Sequence, residues 1–193
     1  SLSFSGNSRV FAAICGVRGS STSRELVVAD LLQGTNTSLA LISGASSGTQ
    51  GRLSLNDNGR FVAFTYMNPS GFGYGYLVAS DTNNLEDVFL YDVATANLML
   101  VSVSQTGIAP GNNRSNWPRL SADGRYLAFR SAADDLVPGD ANGKKDVFLF
   151  DRLTGQKTVL SSSFDGIATA NGMSLGLEMT PDARLIVFNS VAT

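Results

Sequence analysis

A duplicated loop and strand constrain this chain more than any other feature. SDTNNLEDVFLYD (80–92) and GDANGKKDVFLFD (139–151) set Asp81, Asn83, Asp87 and Asp92 against Asp140, Asn142, Asp146 and Asp151, each pair 59 residues apart. The strand ahead of the loop recurs as well. LNDNGRFVAF (55–64), LSADGRYLAF (120–129) and MTPDARLIVF (179–188) are three copies, and FSGNSRVFAA (4–13) is a degraded fourth. Anchored on Arg9, Arg60, Arg125 and Arg184, the spacings are 51, 65 and 59 residues. The 65 is a 59-residue unit with six extra residues in TYMNPSGFGYGY, after Phe64. An insertion that falls in a loop and leaves the strand spacing intact is what stacked supersecondary units tolerate.

Each full unit contains four short β signals, clearest in WPRLS, GRYLAFRS, DVFLFD and KTVLSSS. They are rich in Val, Leu, Phe and Tyr, with Gly, Asp, Asn and Pro between them. No window sustains a helical period. The consecutive apolar residues in YLAF and VFLF call for strands buried on both faces. Four antiparallel strands covered on both sides by neighbouring units make a propeller blade. The expected fold is therefore all-β: a β-propeller segment of four-stranded antiparallel blades, about three and a half of them, and a piece of a larger ring. Blade one spans 1–51, blade two 52–116, blade three 117–175, and a half blade 176–193. A closed ring takes about four to eight blades, so further blades or a second chain are expected to complete it.

The runs LSADGRYLAF and DVFLFDRLTG resemble the TolB-type, WD-like β-propeller repeat of bacteria, in a variant with D-x-N-x-x-x-D-V-F loops. The resemblance covers nearly the whole chain and is weakest in the first blade. It implies an extracytoplasmic bacterial setting, periplasmic or secreted and cell-surface, and a protein partner. It implies no particular activity, because propellers host many unrelated functions.

The charge balance is 14 basic against 16 acidic residues, with no basic cluster beyond Lys144-Lys145, which gives no electrostatic case for nucleic acid. The longest apolar run, residues 10–15, is far too short to span a bilayer. The single cysteine, Cys15, excludes an internal disulfide and reads as a small buried hydrophobe at a strand end. Trp117, beside an inner strand, reads as a core residue. With no histidine there is no Ser-His-Asp triad and no Cys-His pair. Acid–base chemistry would rest on carboxylates such as Asp134-Asp135, which fall in a solvated loop, so the chain is expected not to be an enzyme.

Two loops have a spacing suited to a metal. Asp140, Asn142 and Asp146 bring three side-chain oxygens within seven residues, and Gly143 permits a tight turn among them. Asp81, Asn83 and Asp87 repeat the pattern, with Asn84 for the glycine and Glu86 as an added carboxylate. Calcium takes about six to eight oxygen ligands, many from backbone and water. The loop opens like an EF-hand but lacks its distal glutamate, since position twelve is Asp151, so only a compact loop site fits. Two readings stay open: calcium ligation, or Asp and Asn capping turns through the backbone. Zinc is disfavoured without histidine or a nearby cysteine. The loop of blade one, RGSSTSR, has no D-x-N.

The insertion of blade two alternates Gly71, Gly73 and Gly75 with Phe72, Tyr74 and Tyr76. It reads either as an aromatic binding loop for a glycan or a partner protein, or as a long hairpin that packs on itself. It is no dinucleotide fingerprint, because no helix follows. Asp92 and Asp151 read as hairpin-turn devices, and Arg60, Arg125 and Arg184 as turn or blade-to-blade contacts. The overall expectation is a binding scaffold for a protein partner, with loops stiffened by Ca2+. The rivals are the gating propeller of a larger prolyl-oligopeptidase-like hydrolase, and a carbohydrate-binding module.

Overall fold

The strand FVAFTY leaves no face for water: each of its six residues is buried, and so are Leu127 to Ser131 in the next copy. The reason is sandwiching. A computed structural model describes residues 2–16, 23–42, 52–67, 77–163 and 169–192. It shows three four-stranded antiparallel sheets and a two-stranded one, each built from consecutive strands. The first contains β1 (Leu2–Phe4), β2 (Val10–Gly16), β3 (Ser23–Asp30) and β4 (Thr35–Ile42). The second contains β5 (Leu53–Leu55), β6 (Phe61–Met67), β7 (Glu86–Asp92) and β8 (Asn97–Leu100). The third contains β9 (Ser115–Leu120), β10 (Tyr126–Ser131), β11 (Asp146–Asp151) and β12 (Gln156–Val159), and the last β13 (Ser174–Met179) and β14 (Ile186–Ser190). The described residues include no helix. Among the described residues no helix is long and apolar enough to cross a membrane.

The cores lie between sheets, and alternate residues of one strand serve different cores. Val62 and Phe64 pack with Val10, Leu26 and Val28 of the first sheet. Their neighbours Phe61 and Ala63 pack the other way, with Leu127, Phe129 and Phe148 of the third. Leu177 joins Ala128 and Val147 in a smaller core at the last seam. Phe64 stacks on Phe89 at 5.6 Å between centroids, and Phe129 on Phe148 at the same distance, so the repeat conserves the packing as well as the pattern. First strands of successive sheets touch one another, β1 with β5, β5 with β9 and β9 with β13, so they line the axis about which the sheets fan.

The turn between the first and second strands of a blade is the same object four times. Ser8, Gly59, Gly124 and Ala183 all adopt the left-handed backbone, with φ between 54° and 74°. In each copy the Asn or Asp two residues before the arginine accepts that arginine's amide N–H: Asn7, Asn58, Asp123 and Asp182. Glycine is required twice over at Gly124, where a Cβ would come 2.5 Å from the Phe61 ring.

The arginines following this turn bind within their own blade. Arg9 pairs with Asp30 at 2.7 Å, Arg60 with Asp92 at 2.8 Å and Arg125 with Asp151 at 2.8 Å, each linking the second strand to the third. The blade-to-blade role expected for them falls instead to neighbours: Asp57 N–H donates to the Ala122 carbonyl, and Ala122 N–H to that of Pro181. Asp92 and Asp151 also hold their hairpins as expected, accepting the Ala94 and Leu153 amides. Cys15 is exposed, contrary to the sequence expectation, because β2 outruns the core in its last two residues.

Candidate functional site

The D-x-N loops enter β7 and β11 at the end of the blades opposite the Arg–Asp pairs. In both copies the asparagine is the brace. Asn83 Oδ1 accepts the Leu85 amide at 2.8 Å, and Asn142 Oδ1 accepts that of Lys144 at 2.6 Å. Each amide nitrogen then donates to a carbonyl on the segment that leads into the next blade: Asn83 to Gly111 at 2.9 Å, Asn142 to Ala170 at 2.7 Å. The residue after each asparagine, Asn84 or Gly143, is left-handed with φ near 60°. These are side-chain-capped turns, so the two asparagines have backbone duties of their own.

The aspartates behave differently. Asp87 and Asp146 are fully buried at the start of β7 and β11, the second and first residue of their strands, and each accepts a serine hydroxyl: Ser102 at 2.5 Å and Ser161 at 2.6 Å. The same serines accept the Val88 and Val147 amides. Asp146 has a further donor, Asn142 Nδ2 at 2.8 Å, whereas the second oxygen of Asp87 has none. Asp81 is fully buried and Asp140 is 7% exposed; none of their four oxygens has a hydrogen bond of good geometry, and the nearby Asn83 amide for Asp81, and the Thr169 hydroxyl and Asn142 amide for Asp140, lower their pKa only in part.

Buried carboxylates without donors resist ionisation. Burial pushes Asp81 up to about 6 and Asp140 up to about 6, the latter helped by the charge on Asp146. Asp87 is pushed up to about 7, by burial first and then by the charges of Asp81 and Asp135, against the lowering effect of Ser102. Asp146 is raised by burial as well. The other end of the blades is the reverse: Arg125 holds Asp151 down to about 2, and Arg9 does the same for Asp30.

Each loop therefore brings together two carboxylates and an asparagine bound to the backbone. Among the described residues, no three His, Cys, Asp or Glu side chains gather into a metal-binding group. The donor set still suits a hard cation: three oxygens of the Asp81/Asp87 pair and two of Asp140 have no protein donor. Calcium would draw its remaining ligands from backbone carbonyls and water. Phe72, Tyr74 and Tyr76 lie outside the described residues.

Sequence reasoning missed a second cluster. Trp117 is half-buried rather than part of the core, because two arginines cover its ring: Cζ of Arg52 lies 3.2 Å and that of Arg130 4.1 Å from the ring centroid. The sequence signal was the repeat alignment, which sets Trp117 opposite Arg52 and Gly176 in the neighbouring blades.

No protein-family model and no curated protein matches this sequence. Solved structures do match. A protein assigned as TolB from Agrobacterium tumefaciens aligns over 99% of this chain and 53% of its own, at 12% identity and a TM-score of 0.59. The fold is a β-propeller, similar to that of this structure. An oligogalacturonate lyase from Vibrio parahaemolyticus aligns over 99% of this chain and 46% of its own, at 11% identity and a TM-score of 0.55. Prolyl oligopeptidase B from Galerina marginata aligns over 98% and 25%, at 11% identity and a TM-score of 0.52. The chain thus spans about half the length of the TolB structure it matches. At these identities the likeness concerns the fold alone.

Proposed function

We propose that this segment is a non-catalytic interaction scaffold in an extracytoplasmic bacterial protein, that calcium bound in its D-x-N loops stiffens one face, and that this face meets a protein partner. The observation that carries the reading is the pair of buried, donor-poor carboxylates repeated at the same place in two successive blades. A turn needs the asparagine and its left-handed neighbour, but it gains nothing from a second buried aspartate that lacks a donor. A divalent cation supplies what that pair lacks. In this reading further blades, or a second chain, complete the ring, which is consistent with the chain spanning about half of the TolB structure.

The test is a thermal melt in EDTA and in millimolar calcium, with Asp81→Asn and Asp140→Asn alongside. Saturating calcium at a hundredfold excess over its dissociation constant stabilises by about 2.7 kcal/mol. A calcium-dependent rise that shrinks in each variant supports the reading. Identical melts in both buffers would refute it.

A second reading draws on the likeness to prolyl oligopeptidase B: the segment gates a hydrolase domain encoded elsewhere in the same protein. Flanking sequence separates the two. A G-x-S-x-G elbow followed by an Asp and a His favours the gate, and further blades favour the scaffold.

A further inference from the structure

Trp117 breaks the repeat more sharply than any other residue. The offsets of 65 and 59 that align the turn arginines place it opposite Arg52 in the second blade and Gly176 in the fourth. The backbone explains the glycine. At this point β9 and β13 each carry a bulge, so that Trp117 and Pro118 together face Phe129, and both Trp117 and Gly176 are left-handed, with φ of 60° and 53°. A bulky side chain in that conformation is strained, and the third blade retains it all the same.

The strained indole is covered by two positive charges, which the two centroid distances keep within about 7 Å of each other. Arg130 is 7% exposed. It donates from Nη2 to Asn116 Oδ1 at 3.2 Å, and its Nε has no acceptor. Asn116 in turn donates to Glu86 at 3.3 Å. Glu178, the acidic group nearest in influence, is engaged by Arg119 at 2.9 Å. Among the described residues neither Arg52 nor Arg130 has a carboxylate partner. Burial and the Arg52 charge both lower the Arg130 pKa. Cation–π contact offsets part of this, but two guanidiniums on one ring still leave positive charge that Glu178, exposed and already bonded to Arg119, balances only in part. Arg52 is exposed and faces solvent.

We propose that Arg52, Trp117 and Arg130 form a carboxylate-binding site at the seam between the second and third blades, with Arg52 just ahead of β5, Trp117 on β9 and Arg130 on β10. Arg52 takes the carboxylate in a two-pronged hydrogen bond, the Trp117 ring beneath it holds its guanidinium flat, and Arg130 adds positive field from the other side of the ring. The planar fork of arginine matches a planar carboxylate. A phosphate is more often cradled by a helix N-terminus, and the described residues contain no helix. The site is opposite in sign to the D-x-N loops and does not rest on the calcium reading.

Trp117 is the only tryptophan in the chain, so its fluorescence reports directly from the site. The probe is sodium succinate, titrated in EDTA against sodium chloride at matched ionic strength, and then against sodium phosphate. Succinate is expected to give a saturable change that chloride does not. Arg52→Ala is expected to weaken binding by about tenfold or more, the loss of one charge-assisted pair. Arg52→Lys keeps the charge and the stem but loses the fork, and is also expected to bind more weakly. Arg184→Ala, on an exposed turn of the last sheet, is expected to titrate as the wild type. A flat succinate titration, an equal response to chloride, or unchanged binding by both Arg52 variants overturns the proposal. Tighter binding of phosphate than of succinate overturns the carboxylate assignment.

Discussion

Asp87→Asn separates a metal site from a structural turn because the two readings predict opposite signs. Asp87 is fully buried, with one oxygen on Ser102 and the other without a donor, and its pKa is pushed up to about 7 from an ordinary value near 4. A carboxyl raised in the folded state binds its proton more tightly there than in the unfolded chain. Stability is therefore greatest at the acid end of the window and falls as pH rises from about 4 through about 7. By pH 8 three units at 1.36 kcal/mol each amount to about 4 kcal/mol of lost stability, an upper bound because water entering the loop lessens it. Asparagine has nearly the same shape and carries no charge. In EDTA at pH 8, Asp87→Asn should be more stable than the wild type by up to about 4 kcal/mol, or roughly 8–16 °C in Tm for a chain of this size. At pH 5 the gap should shrink to about 1.4 kcal/mol, one unit at 1.36. Calcium should reverse the order at pH 8, because only the wild type offers it the carboxylate. The assay is a set of melts at pH 5, 6.5 and 8, in EDTA and in calcium. A variant less stable than the wild type by the same amount at every pH, in both buffers, would refute the argument and make Asp87 a turn residue.

Three further outcomes follow from the packing. Gly124→Ala should cost about 2–4 kcal/mol in a denaturant melt, from the left-handed backbone and the collision with Phe61, whereas Ala183→Gly at the equivalent turn should gain up to about 1 kcal/mol. Phe148→Ala should cost about 3–5 kcal/mol by removing half of a buried stacked pair, and Leu153→Ala, 65% exposed, should change the melt little. A double-mutant cycle on Arg125 and Asp151 should return a coupling of about 1 kcal/mol or less that falls with salt, since the arginine is 39% exposed.

The repeat made the blades legible before any coordinates. Identical offsets in LAF and VFLF identified strands covered on both faces, and they are, because each middle strand feeds two cores from alternate residues. The aspartates of the loops were legible as a cluster, but their chemistry was not. Spacing cannot tell that Asn83 and Asn142 spend their oxygens on backbone amides while Asp81 and Asp140 lack a hydrogen bond of good geometry on either oxygen. Arg60 and Arg125 do serve the turn, one of the two roles expected, but their ion pairs were not legible, because an ion pair across antiparallel strands links residues 32 and 26 positions apart, a separation that depends on loop length. Trp117 was read as core on residue type alone. Its real environment is set by a bulge, and a bulge shifts which face a side chain takes.

The two asparagine braces also make the joints between blades unequal. Asn83 clasps the strap that leads from the second blade into the third, and Asn142 clasps the next strap along, at Ala170. The first blade has RGSSTSR where its clasp would be. The sequence of the first blade offers no D-x-N asparagine for a third clasp, so the joint between the first and second blades is expected to be the loosest of the three. If the ring parts to admit a partner, the fissure should begin there. In amide exchange that opening would appear as early loss of protection in β1 to β4, while β9 to β12 stay closed.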